Sequence, residues 1–202
     1  MAWDELADAK SLKAAEKALG ANGIEVIISE NEEDAKKKAV ELIPEGAEVF
    51  TVTSTTVDTI GLTKELNDSG RYDSVRKRLS QMSRNTHQKE MKSLGAVPDW
   101  VVGSVHAVTE DGQVMVASQS GSQLPAYLYG AAHVIWIVGT QKIVKNLDQG
   151  MKRIYEYTLP LENERAKKAY GTGSFVSKMA IINRESAVGR VTVIFVKERL
   201  GF

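Results

Sequence analysis

The sequence predicts an α/β fold: a three-layer, Rossmann-like sheet of mostly parallel strands with helices on both faces and a small antiparallel strand inset. Three observations carry this. Helical and strand-like segments alternate through the first third of the chain, which implies parallel pairing. Several strand candidates are continuously apolar, as suits a sheet covered on both faces. Between residues 99 and 124, DWVVGSVHAVTEDGQVMVASQSGSQL breaks this rhythm with two strands, an acidic turn and a Gly/Ser loop.

Leu6, Leu12, Ala15, Ala18 and Leu19 recur near helical spacing and Gly20 supplies a C-terminal stop, so the first element is a helix. Ile24 to Ile28 gives a strand. Asn31, with Asp34 three residues on, opens a second helix that runs toward Ile43 and ends before Pro44, Glu45 and Gly46. Val49 to Val52 is the next strand, and Ser54 caps a third helix carrying Val57, Ile60 and Leu62. A polar helical region follows from about Tyr72 to Leu94.

Trp100 to Val102 and Val114 to Val116 are the strands on either side of the acidic turn, and His133 to Val138 is another apolar strand. Asp148 begins a helix through Tyr157, which Pro160 is expected to end. Met179 to Ile182 and Val191 to Val196 are the last strands, with a turn around Gly189 between them. No repeat, low-complexity segment or linker interrupts residues 1–202, so one domain is expected.

Composition narrows the function classes. The chain has 202 residues with 26 basic and 26 acidic side chains, so no overall field favours nucleic acid or an anionic membrane. It contains no cysteine, which removes disulfides, thiol nucleophiles and any cysteine-ligated cluster or metal from this chain. The opening MAWDELADAKSLKAAEKALG is charged and amphipathic, so no signal peptide is expected, and no apolar run approaches the roughly 18 residues of a membrane helix. A cytoplasmic location is expected.

The segments TSTTVDTIGL (53–62), RYD (71–73), HAVTEDGQVMVASQSGSQ (106–123), YGAAHVIWIVGTQKIV (129–144) and LPLENERAKK (159–168), with the ending GRVTVIFVKERLGF (189–202), resemble in that order the LUD-domain family, named for lactate utilisation. The resemblance implies the fold shared by ribose-phosphate isomerases, glucosamine-phosphate deaminases and coenzyme A transferases. It also implies iron–sulfur partner proteins in the oxidation of L-lactate to pyruvate. The chain departs from that pattern at His106, where relatives carry asparagine. It departs again at Ser118 to Gln123, which replaces a loop with an acidic and a basic side chain, and in having no cysteine between 170 and 183.

Two sets of candidate residues follow. The TEDG turn resembles the turn in which coenzyme A transferases hold a glutamate nucleophile, so Glu110 is a candidate for attack on an acyl group. Glu-Asp-Gly is equally a common hairpin turn, with Gly112 suited to positive φ. His106 shares a strand face with Glu110 and is a candidate proton-transfer partner, against the plainer role of a hydrogen-bonded strand histidine. Candidate ligand contacts are Thr53, Ser54, Thr55, Thr56, Ser104, Thr109, Ser120, Gly121, Ser122 and Gln123. Thr53 to Thr56 stand between a strand end and a helix start, and Ser120 to Gln123 form a loop whose amides can approach an anion.

Arg71, Arg76, Lys77, Arg78, Arg84, Lys89 and Lys92 form the one basic stretch, a candidate for holding a phosphate, a coenzyme A tail, an acidic partner or nucleic acid, but read first as a solvated helix face because only Tyr72 is available for base stacking. The expected partners are therefore a small anionic metabolite and iron–sulfur proteins, with no membrane and no nucleic acid. Homo-oligomerisation is left open, and the sequence names no cofactor. The leading expectation is a binding or accessory protein of organic-acid metabolism. The alternative is a coenzyme A transferase-like or sugar-phosphate isomerase-like enzyme using Glu110.

Overall fold

The computed structural model describes residues 3–202. The first half contains α1 (Ala9–Ala21), β1 (Glu25–Ser29), α2 (Glu32–Leu42), β2 (Glu48–Thr51), α3 (Thr55–Thr59), α4 (Leu62–Asp68), β3 (Asp73–Ser74), α5 (Val75–Ser80) and α6 (Gln88–Ala96). Next come β4 (Trp100–Gly103), β5 (Ala107–Thr109), β6 (Val114–Ser118), β7 (His133–Gly139) and β8 (Ile143–Val144). The chain continues through α7 (Leu147–Arg153), α8 (Leu159–Tyr170), β9 (Lys178–Ile182) and β10 (Val191–Val196).

The main sheet has six parallel strands in the order β1-β10-β7-β4-β2-β3. Its central strands are buried on both faces, which is why they are written as unbroken runs such as VIWIV and VTVIFV. Side chains alternate between two cores. Val101, Val134, Trp136, Val193 and Phe195 join α1 and the inset on one face, while Val102, Ile135, Ile137 and Ile194 meet α2, α3 and α4 on the other.

The inset is a second sheet, ordered β8-β5-β6-β9, in which β5–β6 and β6–β9 are antiparallel and β5–β8 is parallel. The two strands expected on either side of the acidic turn thus belong to different sheets, β4 to the main sheet and β6 to the inset, and the strand that leads into the turn is β5, which pairs with β6 as a hairpin. Gly112 lies at φ +78, and a Cβ there would stand 2.6 Å from the Ala18 carbonyl carbon, so the turn is packed tightly on α1. Asn22 reinforces the docking by donating to the carbonyls of Asp111 and Gly112.

Four boundaries differ from the sequence reading. The first helix starts only after its Asp8 cap, which leaves Leu6 outside, and it runs past Gly20 to Ala21 with Asn22 as its C-cap. The helix capped by Ser54 breaks at Gly61 (φ +67), giving α3 and α4 in place of one element. The Tyr72 to Leu94 region contains a short edge strand before its two helices. Pro160 does not end a helix. α7 passes into a π-helical turn, Ile154–Thr158, and then into α8, with Pro160 in the first turn of α8. Pro160 has no N–H to continue the ladder, and the π turn, in which the Leu159 N–H reaches back to the Ile154 carbonyl, carries the helix across that gap.

Candidate functional site

Strands β2, β4 and β7 are neighbours, and because they run parallel their carboxyl ends open on one edge of the sheet. Open α/β sheets bind ligands just outside such ends. Here Thr53 to Thr56 follow β2, Ser104 to His106 follow β4, and Lys142 closes a 3-10 turn after β7. All of these residues line one cleft of about 1070 Å³. Its other walls come from the Ser118–Gln123 loop, the helical segment from Ile154 to Arg165, Tyr170, Phe175, and Arg76 and Arg84 from the α5 region.

Lys142 is 2% exposed. Its Nζ donates to Thr56 Oγ1 at 2.9 Å, Ser104 Oγ at 3.0 Å and the Val105 carbonyl at 3.2 Å. Both hydroxyls direct their own protons elsewhere, Ser104 to the Ile137 carbonyl at 2.7 Å and Thr56 to that of Leu200 at 3.3 Å. Each therefore offers the lysine a lone pair, and three acceptors match the three donors of an ammonium. Burial, with the nearby Arg153 adding to it, pushes the Lys142 pKa well below the ordinary lysine range.

Arg153 is fully buried. Its Nη1 donates to the His106 carbonyl at 2.6 Å and to Thr158 Oγ1 at 3.1 Å, and its Nε to the Gln141 carbonyl at 3.4 Å. Nη2 has no partner among the described residues. Burial lowers its pKa to about 10. Among the described residues, neither Lys142 nor Arg153 forms an ion pair with a carboxylate. Glu162, which lines the cleft, is already bound by Arg165 through two bonds of 2.7 Å.

His106 Nδ1 accepts the Ala117 N–H at 3.1 Å, so in the neutral ring Nε2 carries the proton. Burial holds its pKa down to about 3, with the positive charges of Lys142 and Arg153 contributing in the same direction. The imidazole is neutral at physiological pH and serves as an N–H donor beside the ammonium. Tyr127 seals this end of the cleft. Its hydroxyl donates to the Ser104 carbonyl at 3.3 Å, its ring meets Trp136 edge-on at 5.4 Å, and burial raises its pKa.

The residues singled out from sequence separate into two places. Thr53, Ser54, Thr55, Thr56, Ser104, His106, Ser120, Ser122 and Gln123 line the cleft. Thr109, Glu110 and Gly121 do not. Thr109 is buried, with its hydroxyl accepting the Gln113 N–H, and Gly121 turns the loop at φ +82 over Lys178. Glu110 accepts the Ser11 hydroxyl at 2.7 Å and sits at the far end of the β5–β6 hairpin. The strand from Gln113 to Ser118 rises about 17 Å between the turn and the cleft-lining loop. The structure does not bring His106 and Glu110 together at the cleft.

Lys142, Arg153, Glu162 and Phe175 were absent from the sequence candidates, and Arg76 and Arg84 were named only within the basic stretch. One signal was available for Lys142: GTQK directly follows the most apolar strand, at the strand end where α/β sheets place ligands. Three of the seven residues of the basic stretch pair with carboxylates. Arg71 pairs with Glu45 and Glu65, Lys77 with Asp68, Arg78 with Glu48 and Asp73, and Arg76 donates to Thr53 at 2.7 Å.

The LUD domain matches residues 12–196 of the chain. A crystal structure of a DUF162 family protein from Deinococcus radiodurans is similar with a TM-score of 0.57 at 14% identity, covering 95% of this chain and 99% of that one. Ribose 5-phosphate isomerase from Plasmodium falciparum gives a TM-score of 0.42 at 11% identity, covering 85% of this chain and 94% of that one. No curated protein matches the sequence.

Proposed function

We propose that this chain, which belongs to the LUD domain family, binds an anionic metabolite in the cleft at the carboxyl ends of β2, β4 and β7 and serves organic-acid, specifically L-lactate, utilisation as an accessory partner of iron–sulfur oxidoreductase subunits. The observation that carries the anion reading is the pair Lys142 and Arg153, two buried cations with no carboxylate beside them. Removing a charge from water costs several kcal/mol even after relaxation. A negative ligand group in the cleft offsets that cost for Lys142 by charge attraction, its three N–H groups being already engaged, while His106 Nε2–H supplies the hydrogen bond. The family resemblance supports the metabolic setting, and a chain without cysteine is in keeping with a cluster held by a partner.

Glu110 has no part in this reading, since its carboxylate is held by Ser11 outside the cleft.

The test is thermal unfolding of the purified protein with L-lactate, pyruvate and inorganic phosphate, beside Lys142→Met. An anion at about 100 times its dissociation constant adds roughly 2.7 kcal/mol, which raises the midpoint of a chain this size by roughly 5 to 10 °C. The shift is expected in the parent and absent in Lys142→Met. An equal shift in both proteins overturns the site. For the accessory role, copurification with iron–sulfur subunits is expected, and unimpaired growth on L-lactate after gene deletion overturns it.

A further inference from the structure

The cleft is far larger than a small acid requires. Its volume of about 1070 Å³ is room for roughly 35 water molecules at ~30 Å³ each, and a three-carbon hydroxy acid has only a handful of non-hydrogen atoms. One wall is built for something else. Residues 171–177 form an irregular strap between α8 and β9 that is fastened at both ends. The Ser174 N–H donates to Asn163 Oδ1 at 2.9 Å, and the Ser177 N–H donates to the Ser118 carbonyl at 3.1 Å. Gly173 permits the first fastening, because a Cβ there would lie 2.3 Å from the same Asn163 oxygen.

Between these anchors Phe175 lines the cleft while remaining 59% exposed, and Tyr170, at the end of α8, lines it at 64% exposure. A large aromatic side chain held in place yet left uncovered presents a ring face to whatever enters. The Tyr170 ring is itself backed by Arg165, whose guanidinium lies 5.5 Å from the ring centroid and is neutralised by Glu162. Beside the strap's anchor at Ser118, Gln119 lines the cleft and its side-chain amide makes no hydrogen bond among the described residues. It is free to meet ring nitrogens or exocyclic groups.

Resting on the reading of the cleft as an anion site, we propose that its ligand carries a nitrogenous planar ring as well as the anionic group, with the ring stacked on Phe175 and the anion toward Lys142. Nucleotides are the simplest molecules of this class. Aromatic faces stack with any base, whereas an alkyl group gains only from burial.

Calorimetric titration with adenosine 5′-monophosphate, ribose 5-phosphate, hexyl phosphate and L-lactate tests this on the full chain. Adenosine 5′-monophosphate is expected to bind roughly 10-fold or more tightly than ribose 5-phosphate, given the usual strength of base stacking on an aromatic side chain. Phe175→Ala should remove that preference and Phe175→Trp should keep it. Lys142→Met should lose both phosphates. Equal binding of the two phosphates overturns the ring assignment, as does hexyl phosphate matching the nucleotide, or a preference that survives Phe175→Ala. In those cases the anion reading stands as long as Lys142→Met still loses ribose 5-phosphate. Binding of L-lactate alone overturns the ring and keeps the anion. No binding of any of the four overturns both.

Discussion

Acidification from pH 7.5 to 5.0 should cost this protein stability through His106. In the folded state its pKa is lowered to about 3 by burial and by the adjacent Lys142 and Arg153, whereas the unfolded chain titrates near the ordinary value of about 6.5. Below pH ~6.5 the unfolded state therefore binds a proton that the folded state refuses, and stability falls as pH falls until the folded value is reached. Over this interval the two pKa values give a loss of about 2 kcal/mol from this one residue, or roughly 4 to 8 °C in the unfolding midpoint. The measurement is the midpoint against pH for the parent and His106→Gln, which keeps an acceptor for the Ala117 N–H but does not titrate. The parent's pH slope should exceed the variant's by that amount. Parallel curves, or a His106 ring titrating near pH 6.5 by NMR, would refute the reasoning.

Further outcomes follow from packing. Gly103→Ala places a Cβ 1.8 Å from the Tyr127 hydroxyl and 2.4 Å from Val52 Cγ2, so it should destabilise by about 3 kcal/mol, measured by urea unfolding. Arg190 pairs with Glu185 at 2.7 Å, both side chains nearly buried, and donates to the carbonyls of Ala126, Tyr127 and Ala131. Arg190→Ala should cost about 3 to 5 kcal/mol and expose a second π-helical turn, Ala126–Gly130, to amide hydrogen exchange. Glu110→Gln should leave anion binding intact by calorimetry and change stability by no more than about 1 kcal/mol, the scale of its one bond to Ser11.

The apolar strands were legible because burial on both faces writes itself locally. VIWIV, VTVIFV and VVG fall within β7, β10 and β4. Capping was legible for the same reason, since Asn31 and Ser54 accept the N–H groups three residues on. Pro160 misled because the neighbouring π-helical turn, which lets the chain continue through it, has no local signature. Half of the candidate site was found through its density of hydroxyls beyond strand ends. Glu110 misled because hairpin polarity decides which end of β6 faces the cleft, and a motif does not carry that. Lys142 was missed because nothing beside it announces burial. Its acceptors stand 86, 38 and 37 residues away, and they meet only when three parallel strands end together.

The π-helical turn between α7 and α8 also sets the phase of everything after it. An α-helix advances about 100° per residue, and a π turn holds one residue more than the α turn it replaces. Residues 154–158 thus act as an angular offset that aims Glu162, Arg165 and Tyr170 into the cleft rather than round the helix. Deleting a single residue there would leave a longer, more regular helix whose composition is nearly unchanged. Its inward stripe would keep its direction, because the deletion removes the residue that the wide turn absorbs, whereas an all-α path through the unchanged sequence would swing the stripe away from the cleft by about 100°.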